Sequence, residues 1–308
     1  MRAFIFLLIL FYSVVIYGQE VDASLTKQYL QESQELIDSV KYKDAQVKLE
    51  WVIANYGKQN RDSLTAKLLL LYGETYFRSG NINQALSIWN ELTELIGTLK
   101  ISNSLLSADC LHNIGLCYFY VGNYVESKKF AEKALKIRMH LLDSEHNDIG
   151  KSYNSIAILH EAKGDFLLAM ENHKKALSIF LKNKNLKFAA YSYTNMANIY
   201  YELGMVEKVI ENNNRALEIR NKLLPSNHPI IASNYNNLGN AYYLKGDYRK
   251  AIEYAEKAYS IRIVNYNENN PEMIGYYQNM GMCYEAMGEL DSSIVYTTRS
   301  LEIQKKAP

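Results

Sequence analysis

The segment Tyr235-Asn-Asn-Leu-Gly-Asn-Ala-Tyr242, with Gly246 four residues beyond it, has five close counterparts elsewhere in this chain of 308 residues. The counterparts align with it without gaps and begin at Leu69, Leu111, Tyr153, Tyr193 and Tyr277. Each is followed at the same distance by a glycine, and these glycines are separated by 42, 42, 40, 42 and 42 residues: Gly80, Gly122, Gly164, Gly204, Gly246 and Gly288. A fixed period of this length indicates an array of repeated structural units.

Within each repeat, an apolar pattern with helical period leads up to the glycine, and a second such pattern begins just after it. A glycine at this junction can take the left-handed conformation that ends a helix. The next residue is a good N-cap for a second helix in four repeats, at Asn81, Asn123, Asp165 and Asp247. Small residues recur where the two helices would approach each other: Gly73, Gly115, Ala157, Ala197, Gly239 and Gly281. The pattern predicts an all-α chain of helical hairpins.

These positions resemble the tetratricopeptide repeat (TPR), and the period of 42 residues resembles the variety found in kinesin light chains. The resemblance covers residues 66–307 as six units, at about 66–99, 108–141, 150–183, 190–223, 232–265 and 274–307. A degenerate first hairpin, residues 19–65, is expected to precede them, where Val40-Lys-Tyr-Lys-Asp-Ala45 lacks the glycine. The family implies a right-handed superhelical solenoid with a concave groove lined mainly by the first helix of each unit.

The amino terminus has the pattern of an export signal. Met1-Arg2 is followed by the apolar run Phe4–Ile16 and by Gly18, so residues 1–18 are predicted to be a cleaved signal peptide. The run is shorter than a membrane span requires, so we expect an exported protein of the periplasm, outer surface or medium. Cys110, Cys117 and Cys283 are expected to be free thiols, because the first two lie about 10 Å apart along one predicted helix.

Inward-facing positions of the family pattern, carried onto this sequence one by one, give a candidate peptide-binding groove. Its predicted residues are His112, Tyr120, Asn154, Ile158, Tyr191, Thr194, Asn198, Tyr201, Asn236, Asn240, Tyr243 and Gln278. Asparagine offers both a donor and an acceptor to the backbone of an extended peptide. Tyrosine adds a large and stiff contact surface with a polar tip. A second asparagine set, at Asn113, Asn195, Asn237 and Asn279, is interpreted as structural, and Tyr118, Tyr200, Tyr242 and Tyr284 as core.

The chain contains no sequence signature of catalysis. It has no phosphate-binding glycine loop, no Gly-x-Ser-x-Gly, no His-Glu-x-x-His and no Cys-x-x-Cys, so we expect neither an enzyme nor a cofactor. His160 and His173 are expected to form a packed, hydrogen-bonded pair rather than a metal site. Lys and Arg total 34 and Asp and Glu 33, a balance that argues against nucleic acid or an anionic membrane as partner.

The sequence therefore predicts a non-catalytic scaffold that binds an extended peptide or a helix of a protein partner. The alternative is the exported sensor or recruitment region of a larger signalling protein, such as a histidine kinase, a transcription regulator or a caspase-like protease. The sixth unit ends one residue before the last residue given, with no further polar helix to cover it, which keeps that alternative open. The uncovered hairpin also makes self-association a third alternative.

Overall fold

The computed structural model describes residues 21–306, and within that range every regular element is a helix. The fourteen α-helices of this range are α1 (Ala23–Asp38), α2 (Tyr42–Val52), α3 (Ser63–Arg78), α4 (Ile82–Thr98), α5 (Leu105–Tyr120), α6 (Tyr124–Leu141), α7 (Asn147–Ala162), α8 (Phe166–Lys182), α9 (Leu186–Glu202), α10 (Val206–Leu223), α11 (Pro229–Leu244), α12 (Tyr248–Asn265), α13 (Ile274–Ala286) and α14 (Leu290–Lys306). A π-helical turn (Ile53–Gly57) extends α2, and a 3₁₀ turn (Pro271–Met273) precedes α13. The predicted all-α array of stacked antiparallel hairpins is confirmed, while the predicted signal peptide, residues 1–18, lies outside the described residues.

The described helices form two compact units, α1–α6 before the boundary at Leu142 and α7–α14 after it. Inside each unit every odd-numbered helix pairs with the even-numbered helix that follows it. The first helices of the repeats begin at residues 63, 105, 147, 186 and 229, a few residues before the predicted repeat boundaries at 66, 108, 150, 190 and 232. The helices start earlier because each begins directly after its cap residue, for example Asp62 or Ser104, whose side chain accepts from backbone N–H groups.

Six glycines make the turn inside the hairpins, and all of them have positive φ, between 69° and 84°. At Gly80 the turn is a Schellman motif, in which the N–H of Asn81 donates to the carbonyl of Tyr76 at 2.9 Å. The first hairpin makes the same turn with Val40, at φ 63°, a conformation that a β-branched residue adopts only under strain.

The predicted caps of the second helices are confirmed at three of four positions. Asn81, Asn123 and Asp247 each accept a hydrogen bond from the backbone N–H three residues on. The prediction for Asp165 is wrong, since its carboxylate makes no cap hydrogen bond and contacts Nδ1 of His160 at 3.3 Å instead. The hairpin of α7 and α8 is thus closed by the positive φ of Gly164, without a side-chain cap at the start of α8.

Small residues set the distance between paired helices, as predicted. A Cβ atom added at Gly73 would lie 2.3 Å from Nε1 of Trp89, and one added at Gly239 would lie 3.3 Å from the carbonyl oxygen of Ala251. Tyrosines of the first helices cover these contacts from the side: Tyr242 stacks on Tyr254 with ring centroids 5.3 Å apart. The core of each unit therefore consists of successive helix–helix interfaces and has no single hydrophobic centre.

Candidate functional site

The twelve predicted groove residues are divided between the two units. His112 and Tyr120 lie on α5 in the first unit, and the other ten lie on α7, α9, α11 and α13 in the second unit. The ten belong to the first helices of four consecutive hairpins. Three of these helices, α9, α11 and α13, form the walls of two clefts, and the second helices α10 and α12 supply their floors.

The first cleft, between α9 and α11, contains a cavity of about 230 Å³ that we call the polar cavity. Its lining residues are Ala197, Asn198, Tyr201, Glu202, Val209, Asn213, Asn237 and Asn240. Asn213 lies on the floor, where its Nδ2 donates to the carbonyl of Val209 at 3.1 Å. Its Oδ1 accepts from Asn234 at 3.3 Å and from Asn237 at 3.5 Å, so the floor of this cavity is a fixed hydrogen-bonded network.

The second cleft, between α11 and α13, contains a cavity of about 210 Å³ that we call the apolar cavity. Its lining residues are Tyr201, Gly239, Asn240, Tyr243, Leu244, Ala251, Asn279, Met282 and Cys283. Nδ2 of Asn279 donates to Oδ1 of Asn236 at 3.0 Å and to Oδ1 of Asn240 at 2.9 Å, which fixes the orientation of both amides. Burial raises the pKa of the Cys283 thiol to about 11, so this thiol is protonated and apolar in character near neutral pH.

The two cavities adjoin, because Tyr201 and Asn240 line both of them. Four of the predicted groove residues, Asn198, Tyr201, Asn240 and Tyr243, are thus brought together at one place. Tyr201 is 42% exposed, and the side chain of Asn198, among the described residues, makes no hydrogen bond. This pair of cavities is the candidate site.

The remaining predicted residues of the second unit lie on the same helices but serve other contacts. Asn154 accepts from Asn195 at 3.4 Å and lies 3.0 Å from Nδ1 of His173, and Thr194 donates to the carbonyl of Ala190 at 3.1 Å. Tyr191 lies 5.5 Å from the buried guanidinium of Arg220. Ile158 is half-buried on α7 and Gln278 is exposed on α13. None of these five residues lines the two cavities.

In the first unit, Tyr120 is 65% exposed and packs edge-on against Phe77, with ring centroids 5.4 Å apart. His112 is half-buried on the same helix. In the first repeat of this unit the position that corresponds to Asn213 is Trp89, which is 1% exposed and fills the space beside Gly73, and in the second repeat it is Ala131.

Among the polar side chains that line the candidate site, Glu202 and Asn213 were assigned no role in the sequence prediction. The run Asn212-Asn213-Asn214 on a second helix was the available signal, since the position of Asn213 carries alanine in two other repeats, at Ala131 and Ala255. A polar residue in place of a core alanine indicates a hydrogen-bonded floor. Glu202 had no signal beyond being an acidic residue at a helix end.

The histidine prediction is wrong. His160 contacts Asp165, whereas Nε2 of His173 lies 2.5 Å from Oε1 of Glu161, so each ring has its own partner instead of pairing with the other. His146 and His228 cap α7 and α11, with ring Nδ1 atoms accepting from backbone N–H groups at 3.2 Å. Residues 21–306 contain no cluster of three or more histidine, cysteine or acidic side chains able to hold a metal ion.

Cys110, Cys117 and Cys283 are all free and buried, as predicted. Three of the asparagines interpreted as structural, Asn195, Asn237 and Asn279, each donate a side-chain hydrogen bond to another asparagine. No helix in the described part of the chain has the length and apolar character needed to cross a bilayer.

Comparison with known proteins gives the family. The model of the tetratricopeptide repeat matches residues 64–139, 106–182 and 188–263, and a second model of the same repeat matches residues 274–306. The TPR repeat-containing protein MJ1428 of Methanocaldococcus jannaschii is 27% identical over 194 residues, which are 60% of this chain and 31% of that protein. The match thus spans less than a third of that relative.

Solved structures share the fold. The nearly identical TPR-like repeats of a protein assigned as a kinesin light chain of Podospora anserina superimpose with a TM-score of 0.54 at 21% identity, over 64% of this chain and 94% of that one. A Rap protein complexed with competence and sporulation factor gives 0.66 at 17% identity, over 91% and 77%. The STAND protein PH0952 of Pyrococcus horikoshii, described as having a TPR sensor, gives 0.70 at 16% identity, over 92% and 42%.

This family is in general a non-catalytic scaffold that binds other proteins. Three observations indicate the same repeat: the period of the glycines, the helical hairpins that these glycines close, and the family match over more than half of the sequence. The chain belongs to the tetratricopeptide repeat family.

Proposed function

We propose that this protein is a non-catalytic interaction scaffold that holds an extended peptide, or one face of a helix, from a protein partner in the two clefts of its second unit. The observation that carries the proposal is the pair of adjoining cavities in consecutive clefts, with Tyr201 and Asn240 lining both. A segment lying across α9, α11 and α13 would contact both cavities at once.

The chemistry of the lining favours a peptide ligand. Asn198 has a complete amide free for a ligand, and Asn240 keeps its Nδ2 donor because Asn279 occupies only its Oδ1. A peptide backbone offers one donor and one acceptor per residue, which matches such amides regardless of side chain. Tyr201 and Tyr243 supply large apolar surface at a small entropic cost.

We further propose that the partner is met outside the cytoplasm. The support is the sequence alone: a positive start, an apolar run and a small residue at positions 1–18. The absence of basic lining residues in both cavities agrees with a protein partner rather than nucleic acid.

A second candidate function is the sensor or recruitment part of a larger signalling protein. The likeness to PH0952, whose description names a TPR sensor and of which this chain covers 42%, favours it. In that case the same clefts would bind the signal or the recruited partner. Reading the gene beyond the codon for Pro308 separates the two functions: a stop codon favours the free-standing scaffold, and an open frame that encodes an effector domain favours the sensor.

The proposal is tested by capturing partners from an envelope extract of the source cells with the tagged chain, and then measuring direct binding of each purified partner by calorimetry. The double variant Asn198→Ala with Tyr201→Ala should weaken binding by about 2–4 kcal/mol, since a central interface tyrosine and a hydrogen-bonding amide are both removed. The control is Asn214→Ala, which removes an equally exposed asparagine from the second helix α10. Equal binding by the double variant, with unchanged circular dichroism, would show that the partner binds elsewhere.

A further inference from the structure

The two cavities of the candidate site adjoin but differ in chemistry. The polar cavity is lined by four asparagines and Glu202, whereas the walls and floor of the apolar cavity are mainly Tyr243, Leu244, Ala251 and Met282. Among all the residues that line them, Glu202 is the single side chain that carries a charge at neutral pH. A ligand that fills both cavities therefore contacts one negative charge in the polar cavity and a mainly apolar surface in the apolar cavity.

Glu202 lies at the last position of α9, is exposed, and within residues 21–306 forms no ion pair. Two acidic residues of the next helix form ion pairs: Glu207 lies 3.6 Å from Nζ of Lys245, and Glu218 lies 2.8 Å from Nζ of Lys222, whereas Glu211 of that helix, among the described residues, forms none. An acidic side chain at the C-terminal end of a helix is also unfavourable with respect to the helix dipole. A cation supplied by a ligand would give the Glu202 carboxylate an ion-pair partner and would offset its unfavourable interaction with the helix dipole.

The hydrogen-bonding groups around Glu202 point to the same ligand chemistry. The side-chain Nδ2 groups of Asn213 and Asn237 already donate hydrogen bonds, to the carbonyl of Val209 and to Oδ1 of Asn213. Oδ1 of Asn237 therefore remains as an acceptor, and Oδ1 of Asn198 is a second one. With the carboxylate, the polar cavity thus offers at least three acceptor groups. An ammonium group has three donors and no acceptor, and a guanidinium has five donors, so Lys or Arg satisfies this lining best.

The apolar cavity is suited to one large aliphatic or aromatic side chain. Met282, on the wall helix α13, is 45% exposed, and burial keeps its neighbour Cys283 in the neutral thiol form. Gly239 deepens the cavity, since its missing side chain leaves the backbone of α12 as the floor. Leucine, phenylalanine or methionine would lose water there against the tyrosine rings and make many dispersion contacts.

We propose, on the basis of the proposed function, that the segment bound by the second unit carries a lysine or arginine in the polar cavity and a large apolar residue in the apolar cavity. The cavities occupy neighbouring clefts, and packed helices lie about 8–10 Å apart. An extended chain advances about 3.3 Å per residue, so the two anchor residues are about two or three positions apart. The partner class is a basic–apolar linear motif.

The test is a selection of random linear peptides displayed on phage against the purified full chain, followed by affinity measurements on the enriched peptides with five single variants, of which Tyr201→Ala shows whether a peptide binds at the two cavities at all. Glu202→Gln removes the charge, and Met282→Ser removes the apolar rim. Their matched controls, each outside both linings, are Glu211→Gln, an exposed acid on α10, and Met205→Ser, an exposed methionine before it.

The expected peptides have Lys or Arg two or three positions from Leu, Phe, Ile or Met. Glu202→Gln should weaken them about fivefold and reduce the salt dependence of binding. Met282→Ser should weaken them about tenfold, and both controls should bind like the parent chain.

Peptides that lose binding with Tyr201→Ala but carry no basic residue, or that bind Glu202→Gln as well as the parent, would overturn the motif and leave the proposed function standing. Peptides whose binding is unaffected by Tyr201→Ala, or the absence of any enriched peptide, would overturn both. The exposed position of Tyr201 keeps the fold of this variant intact, and circular dichroism verifies it.

Discussion

Replacing Gly73 with alanine tests the close helix packing on which the repeat depends. The new Cβ would lie 2.3, 2.5 and 2.7 Å from Nε1, Cε2 and Cδ1 of Trp89, distances that no van der Waals contact permits. The indole is 1% exposed and its Nε1 donates to the carbonyl of Leu70 at 3.0 Å, so it cannot move aside without breaking a buried hydrogen bond.

The expected cost follows from three contributions. Overpacking a core contact costs about 1–3 kcal/mol, and loss of the indole hydrogen bond costs about 1–2 kcal/mol. Alanine returns about 1 kcal/mol, because it is the better helix former. We therefore expect Gly73→Ala to lower the free energy of unfolding by about 1–4 kcal/mol.

The assay is urea unfolding followed by the fluorescence of Trp89, in a Trp51→Phe background that leaves Trp89 as the single tryptophan. A local probe is preferable because repeat arrays do not always unfold in one step. The matched control is Gly97→Ala in α4, where an added Cβ would meet nothing within 4 Å and should stabilise the helix by up to about 1 kcal/mol. If both substitutions stabilise the chain equally, the contact between α3 and α4 is not as close as described.

The remaining predictions concern turns, caps, thiols and the second unit. Val40→Gly should raise the free energy of unfolding of the first hairpin by about 1 kcal/mol, because glycine relieves the positive φ of 63°; a lower urea midpoint would contradict this. Gly239→Val should lower stability by about 2–3 kcal/mol, since even its Cβ would lie 3.3 Å from the carbonyl oxygen of Ala251, and unchanged melting would refute it. Burial tends to raise the pKa of Asp62, but hydrogen bonds from Thr65, Tyr56 and Leu64 outweigh it and hold that pKa below its usual value. The stabilisation by the Asp62 carboxylate is therefore present above about pH 4 and lost as the pH falls through its folded pKa, so Asp62→Asn and the parent should converge in stability in acid and differ at pH 7, whereas a constant difference would contradict the assignment. Burial raises the pKa of the Cys110 thiol to about 12, so iodoacetamide at pH 8 should modify this residue only after unfolding, and rapid labelling of the native chain detected by mass spectrometry would oppose the packing.

The architecture could be predicted because each repeat contains the same short-range signals. Gly80 and its five counterparts fix the turn, and small residues such as Gly239 mark the helix contacts, so local chemistry and fold agree. The exact cap interactions could not be predicted, since Asp165 has the right residue type but its carboxylate contacts His160 instead. The competition between two nearby partners depends on side-chain geometry that the pattern does not contain.

The candidate site could be predicted only in part for a similar reason. Family positions placed Asn198, Tyr201, Asn240 and Tyr243 on the right helix faces, but the residues that the second helices add to the lining differ between repeats. The position of Asn213 in the polar cavity carries Trp89 in the first repeat, so the repeat pattern does not determine it. The division of the chain after Leu142, which separates Tyr120 from the second-unit clefts, had no signal in the repeat pattern.

The most direct test of the binding site is photo-crosslinking from a single position. With benzoylphenylalanine in place of Tyr201, the protein should crosslink to its partner, because this side chain lines both cavities. The same group in place of Leu167, which is 87% exposed on the second helix α8, should give no crosslink. Crosslinking from position 167 and not from position 201 would contradict the account.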